Sequence, residues 1–317
     1  MDPHRPAGAV APGHTGPARW ELLRALGAVA DSPAAARAVA PALGLPALTD
    51  ADHTEAFVLN CPPYAAVYLG PDGALGGEGA DRVAGFWRAL EITPPTEPDH
   101  LAALLGLYAS IGEAAADQNA RPATAAALTR SRAALLAEHL WPWLPAYLDA
   151  VTDLDLPPLT AWAELAQRAL AAEQAGHTGH TEHTEHTGQA GPAEQQKEAT
   201  PLPLALRAAR APLESEGSLR DLVDALTTPI TSGIILTRRR LAAGAGQASV
   251  GHRIGERRFT LRAMLEQDPA ATLAWLETEA RRWHARHAAR PDPTSQWWAD
   301  RAEHTATLLR QARPPPG

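Results

Sequence analysis

The stretch that decides the fold is residues 81–111, DRVAGFWRALEITPPTEPDHLAALLGLYASI. Two apolar runs in it flank a short link that is rich in proline. Large apolar side chains recur at i, i+3, i+4 and i+7 in each run, which is the period of an amphipathic helix. They are Val83, Phe86, Trp87 and Leu90, and then Leu101, Leu104, Leu105, Tyr108 and Ile111. The stretch therefore predicts two core helices joined by a turn.

The rest of the chain extends this helical pattern. Alanine and leucine dominate the apolar residues, and both are strong helix formers. Ser218 with Asp221 forms a capping-box signature before a further apolar run, and Thr294 is a candidate cap for the last helix. We predict an all-α, multi-helix bundle of roughly ten to twelve helices. The exception is residues 54–70, where prolines separate aromatic and β-branched runs and predict a short extended segment.

Composition also predicts the domain organisation. Residues 1–17 are rich in Pro, Gly and Ala and are expected to be disordered. Residues 174–201 are dominated by Gly, Thr, Glu, Gln and His, which cannot bury enough apolar surface to fold, so they predict a disordered linker. The linker would separate an N-terminal helical body, residues 18–173, from a C-terminal helical part, residues 202–312.

Charge and cysteine content narrow the class of protein. Residues 1–230 carry a net charge of −14, whereas residues 231–290 carry +6. An acidic body favours a basic partner and a basic arm an acidic one, although both can also be solvated helix faces. Cys61 is the single cysteine, which fits a reducing cytoplasm. No apolar run approaches the roughly 20 residues of a spanning helix, so we expect a cytoplasmic protein without stable membrane insertion.

The first motif with chemical potential follows Thr96 and reads Glu97-Pro98-Asp99-His100-Leu101. Thr96 as the N-cap and Asp99 three residues later would form a capping box, with Pro98 in the first turn. Capping accounts for the acids but not for His100. A surface binding site at the start of this helix therefore stays open beside the capping interpretation.

The second motif, Glu138-His139-Leu140-Trp141-Pro142-Trp143-Leu144-Pro145, ends a helix. His139 there can bond carbonyl groups that Pro142 leaves unpaired, and the two tryptophans are expected in the core. The adjacent Asp-His and Glu-His pairs point to different helix faces, which makes them poor acid–base or metal partners. Phosphate-loop, dinucleotide and nucleophile signatures are absent from the sequence. We therefore expect no catalytic residues, no metal site and no cofactor of its own.

These two motifs, about forty residues apart, resemble the paired motifs of the TorD/DmsD/NarJ family of molybdoenzyme maturation chaperones. The family's acid-x-Pro-Asp-His-Leu and His-Leu-x-x-Trp-x-Pro patterns correspond to Glu97, Pro98, Asp99, His100 and Leu101, and then to His139, Leu140, Trp143 and Pro145. The acid stands directly before Pro98, where many members have an intervening residue. Residues 228–237 resemble, less closely, the C-terminal part of members that serve larger oxidoreductases.

The resemblance implies a cytoplasmic, non-enzymatic chaperone. Such a protein would bind an apo-molybdoenzyme catalytic subunit, or its twin-arginine signal peptide, and support molybdopterin cofactor insertion before export or assembly. It would act as a monomer or homodimer and would not bind nucleic acid. The client-binding residues that it implies are Glu97, Pro98, Asp99, His100, His139 and Trp143.

Two other functions stay open. Arg238–Arg240 with Arg257 and Arg258 could serve a DNA-binding regulator, although the chain as a whole is acidic. A metal-binding function could rest on histidines that recur every third residue in the linker. These are His177, His180, His183 and His186.

Overall fold

The computed structural model describes residues 17–184, 201–213, 217–252 and 255–313, without the side chains of residues 178–184. Throughout these residues the regular structure is helical and no β-strand forms, which confirms the all-α bundle. The α-helices are α1 (Pro17–Asp31), α2 (Pro33–Val39), α3 (Asp50–His53), α4 (Ala65–Leu69), α5 (Gly77–Ala89), α6 (Leu101–Ala116), α7 (Pro122–Leu135), α8 (Leu144–Thr152), α9 (Pro157–Thr184), α10 (Leu204–Arg207), α11 (Leu219–Thr227), α12 (Pro229–Ser232), α13 (Arg238–Gln247), α14 (Arg257–Gln267), α15 (Pro269–Ala288) and α16 (Pro293–Ala312). Two π-helices, π1 (Thr54–Asn60) and π2 (Leu136–Leu140), complete the set.

The extended segment predicted at residues 54–70 is largely wrong. Residues 54–60 form π1 and residues 65–69 form α4, so that only residues 61–64 and Gly70 are non-helical. The prolines in this gap break the helical path, whereas the aromatic and β-branched runs on either side remain helical. Tertiary packing overrides their strand propensity, because Phe57, Tyr68 and Leu69 are all buried in the core.

The two helices predicted from residues 81–111 are confirmed as α5 and α6. All five periodic residues of α6 are buried, and Val83 of α5 is buried as well. α6 packs along α1, where a side chain at Gly27 would meet Cα of Ala102 at 3.0 Å. The backbones of α1 and α6 therefore approach closely at this point.

One continuous hydrophobic cluster joins the two ends of the described chain. It extends from Trp20 in α1 to Leu309 in α16. The first part of the predicted disordered linker is helical, because α9 continues to Thr184. Residues 185–200 of the linker lie outside the described residues. The division into two domains remains a prediction. Within the described ranges, no helix is both long and apolar enough to cross a membrane.

The acidic body and the basic C-terminal helices neutralise each other in part. Asp153, just after α8, pairs with Arg282 at 2.6 Å and with Arg286 at 2.5 Å, both on α15. Asp149 pairs with Arg290 at 2.7 Å. The charge asymmetry of the sequence thus has partners inside the chain, so that much of it is not available to a separate ligand.

Candidate functional site

The first motif lies in a short cross-connection between two segments. The amide of Leu101 donates to the carbonyl of Pro63 at 2.8 Å, and the amide of Ala65 donates to the carbonyl of Asp99 at 3.1 Å. Tyr64 and His100 form an isolated antiparallel bridge between these bonds. The motif is therefore a turn at Pro98 and Asp99, followed by the bridge residue His100, beside the residues that precede α4.

The capping box predicted for Thr96 and Asp99 is wrong. α6 begins at Leu101 and its N-cap is His100, whose Nδ1 accepts a hydrogen bond from the amide of Ala102 at 3.2 Å. Asp99 instead accepts from the amide of Ala66 at 2.9 Å. Because Pro98 and Asp99 form a turn and His100 pairs with Tyr64, α6 begins only at Leu101, and the Asp99 carboxylate caps the first turn of α4.

Burial separates the motif residues into two groups. Asp99 is 3% exposed and His100 is 7% exposed, whereas Glu97 lies on the surface. Burial raises the pKa of Asp99 and lowers the pKa of His100. The Trp87 indole of α5 donates to the carbonyl of Pro98 at 3.2 Å and fixes the inner side of the motif. Only Glu97 presents its carboxylate to solvent.

Two exposed carboxylates, Asp31 and Glu97, lie at the exposed side of the motif and form what we call the acidic rim. The Tyr64 ring meets the His100 ring edge-on, with 4.8 Å between centroids. Burial and the Glu97 carboxylate raise the pKa of Tyr64 to about 12. Asp31, at the end of α1, is close enough for its charge to act on both Tyr64 and His100. Asp31 and Glu97 are exposed, and neither takes part in an ion pair with another described residue. The rim can attract a cationic group.

The second motif is almost entirely inside the molecule. His139 is 8% exposed and lies against Phe86 of α5, with 4.9 Å between ring centroids. Burial lowers its pKa to about 4, so the ring is neutral at pH 7. Trp143 is fully buried, stacks on Tyr68, and donates from its indole to the carbonyl of His139 at 2.8 Å. The core position expected for this tryptophan is confirmed.

The two motifs meet on one helix and reach the C-terminal helices. Phe86 of α5 contacts His139, and the next residue, Trp87, contacts the first motif. From the second motif, Trp141 donates to a carboxylate oxygen of Asp292 at 3.0 Å. The roles of Asp31, Tyr64 and Asp292 were not predicted from the sequence, because each depends on a contact distant along the chain. The only local hint was the Pro62-Pro63 break before Tyr64.

The residues behind the alternative functions are partly engaged elsewhere. Arg240 pairs with Glu279, and Arg258 pairs with Asp224 at 3.3 Å, which neutralises two of the five arginines of the DNA-binding alternative. Among the described residues no group of three or more His, Cys, Asp and Glu side chains could hold a metal ion. His177 contacts the hydroxyl of Tyr108 at 2.9 Å. The side chains of His180 and His183, and His186 as a whole, lie outside the described part of the chain.

The described part of the chain is an all-α bundle in which both motifs contact α5. Residues 29–149 match the family model described as nitrate reductase delta subunit. The match contains both motifs and confirms the resemblance to the NarJ- and TorD-like chaperones of molybdoenzyme maturation, a family that is not catalytic. Residues 228–237 lie outside it. A search among curated proteins found no significant match.

Proposed function

We propose that this protein is a cytoplasmic chaperone that binds the apo form of a molybdoenzyme catalytic subunit through a cationic segment, the twin-arginine signal peptide. The bound chaperone would hold the subunit until the molybdopterin cofactor is inserted, and release would permit export or assembly. The observation that carries the proposal is that two exposed carboxylates of the matched segment, Asp31 at the end of α1 and Glu97 in the first motif, have no ion-pair partner among the described residues.

The six residues implied by the resemblance take two roles in this proposal. Glu97 contacts the client directly, because its carboxylate faces solvent and can pair with a guanidinium. Pro98, Asp99 and His100 act as positioning residues that set the path of the backbone beneath Glu97. His139 and Trp143 take the same positioning role because both are buried, His139 against Phe86 of α5 and Trp143 against Tyr68 of α4. Arginine suits such a rim because its planar fork binds a carboxylate with two parallel hydrogen bonds.

Calorimetric titration with a synthetic twin-arginine signal peptide of a molybdoenzyme tests the proposal. Asp31→Asn and Glu97→Gln should each weaken binding about fivefold to tenfold, because each removes one charge-assisted contact. The matched control is Glu303→Gln, an exposed acid on α16 with the same change in net charge. A peptide with glutamines in place of the two arginines should bind weakly to every variant.

Two results would count against the proposal. The first is an absence of binding to both the signal peptide and the apo catalytic subunit. The second is an equal loss of affinity in Glu303→Gln, which would show that only net charge matters. In cells, the Asp31→Asn and Glu97→Gln double variant should lower the fraction of the client that contains molybdopterin, while the chaperone itself stays folded.

A further inference from the structure

A cleft of about 250 Å³ lies between π1 with its following loop and the helices α11 to α14. One wall comes from the segment that carries the family match and the other from residues beyond it. The lining residues that matter for the argument are Val58, Leu59, Leu75, Arg238, Glu256 and Arg257.

Hydrogen bonds across the cleft hold its two walls in place. The buried side chain of Asn60 accepts from the amide of Arg239 at 2.9 Å and so joins the end of π1 to the start of α13. On the opposite side, Arg258 donates to the carbonyl of Asp72 at 2.7 Å. Gly73, with φ of 59°, packs on the backbone of Thr228. The cleft is therefore formed before any ligand arrives, which lowers the cost of binding.

The apolar side of the cleft is unusually exposed. Val58 is 63% exposed, Leu59 is 37% exposed and Leu75 is 62% exposed. These are three of the seven large apolar side chains that are exposed among the described residues, and all three line this one cleft. Single exposed apolar residues are ordinary, but a group at a preformed concavity marks a binding surface.

The opposite side of the cleft carries uncompensated positive charge. Arg257 donates to the carbonyl of Leu236 at 3.3 Å, and among the described residues no carboxylate lies within ion-pair distance of it or of Arg238. A guanidinium has five N–H donors, so most donors of Arg257 remain for a ligand. Burial lowers the pKa of Arg257, because its charged form has lost contact with water. An anionic partner would stabilise that charged form. Among the described residues that line the cleft, Glu256 is the single carboxylate.

We propose that this cleft binds a second client segment, a short peptide stretch with aliphatic side chains next to a carboxylate. For the identity of the polypeptide the inference rests on the proposed function. The aliphatic side chains would cover Val58, Leu59 and Leu75, and the carboxylate would accept hydrogen bonds from Arg257 and Arg238. A polyanion such as nucleic acid fits less well, because Glu256 lies in the cleft and the chain carries a net charge of −8.

The test uses the full chain and two synthetic probes, acetyl-Leu-Leu-Asp-Leu-amide and its Asn counterpart. The Asp peptide should bind about tenfold more tightly than the Asn peptide. Arg238→Gln and Arg257→Met should each remove most of this difference, whereas Glu256→Gln should tighten binding of the Asp peptide. Val58→Ser should weaken both peptides alike. The control is Arg262→Gln on α14, an exposed arginine paired with Glu266, which should change nothing.

Several outcomes would overturn the inference. They are equal affinity for the two peptides, no binding of either, or displacement of the Asp peptide by inorganic phosphate at similar concentration, which would indicate a plain anion site. Arg238 is exposed, so Arg238→Gln keeps the test decisive if Arg257→Met folds poorly. If the cleft binds neither peptide but the twin-arginine peptide still binds in an Asp31- and Glu97-dependent way, only the cleft proposal is rejected and the proposed function is retained. If the Asp peptide binds the cleft as expected but the twin-arginine peptide does not bind, only the proposed function is rejected.

Discussion

The indole nitrogen of Trp141 donates a hydrogen bond of 3.0 Å to Oδ1 of Asp292. The same oxygen accepts from the amide of Ser295 at 3.0 Å, so Asp292 is also the N-cap of α16. Close by, the indole of Trp298 donates to the carbonyl of Pro142 at 2.7 Å. The second family motif thus connects the segment that matches the family to the last helix, at the point where that helix begins.

Asp292→Ala should destabilise the protein by about 1–3 kcal/mol, because it removes the cap and leaves the partly buried indole N–H of Trp141 without its acceptor. Asp292→Asn keeps an acceptor oxygen and should cost less. Trp141→Phe, which loses the indole bond but keeps the cap, should fall between the two. Denaturant unfolding measures all three, with Asp300→Ala, an exposed residue on the same helix, as the control. An Asp292→Ala protein as stable as the wild type would contradict the connection.

Asp99→Ala should lower the free energy of unfolding by about 1–2 kcal/mol, because the amide of Ala66 loses its buried acceptor. Amide hydrogen exchange should show Ala66 exchanging faster in this variant. Glu97→Gln, two residues away on the surface, should leave both quantities unchanged. If Asp99→Ala instead kept full stability and lost affinity for the signal peptide, Asp99 would be a direct client contact.

Local sequence patterns predicted the parts of the fold that depend on local contacts. The helical period of apolar residues in residues 81–111 predicted α5 and α6. The capping box of Ser218 with Asp221 begins α11 as predicted. The Thr294 cap was wrong because Asp292, followed by Pro293, caps α16 two residues earlier. Short helices such as α3 and α12, four residues each, raise the helix count above the prediction, since they carry too few residues to show a period.

The candidate site was less predictable because it is built from distant contacts. Asp99 was assigned to its own helix, but it caps α4, whose amide lies 33 residues away along the chain. His100 had no explanation in the sequence, and the structure gives it one as the N-cap of α6. The burial of Asp99 and His100 follows from the bridge to Tyr64, a pairing that no local pattern encodes.

Asp153→Ala should destabilise the protein by about 2 kcal/mol. The change leaves Arg282 and Arg286 facing each other without their shared, largely buried carboxylate. The matched control, Glu266→Ala, breaks an exposed pair with Arg262 within one helix and should change stability by less than about 0.5 kcal/mol. Thermal unfolding at low and high salt measures both. Equal effects of the two changes would show that the Asp153 pairs contribute no more than a surface pair.

His139 should make stability fall as the solution is acidified. Its folded-state pKa of about 4 lies below the usual 6.5, so between these values the unfolded chain binds a proton that the folded chain does not. The contribution is fully retained above pH 6.5 and declines by about 3 kcal/mol toward pH 4. His139→Leu should flatten the dependence of unfolding free energy on pH in this window. His252→Gln, at an exposed histidine, should not, and a wild-type slope in His139→Leu would reject the assignment.

Two glycines of α13 should respond to alanine in opposite directions. A Cβ at Gly244 would lie 2.2 Å from the indole of Trp275, whose side chain is 4% exposed and has no space to move. Gly244→Ala should therefore destabilise the protein by about 1–3 kcal/mol through overpacking. A Cβ at Gly246 would meet nothing within 4 Å, so Gly246→Ala should stabilise the helix by up to about 1 kcal/mol. Thermal unfolding of both variants decides the matter, because a stabilising Gly244→Ala is incompatible with α13 packed directly on Trp275.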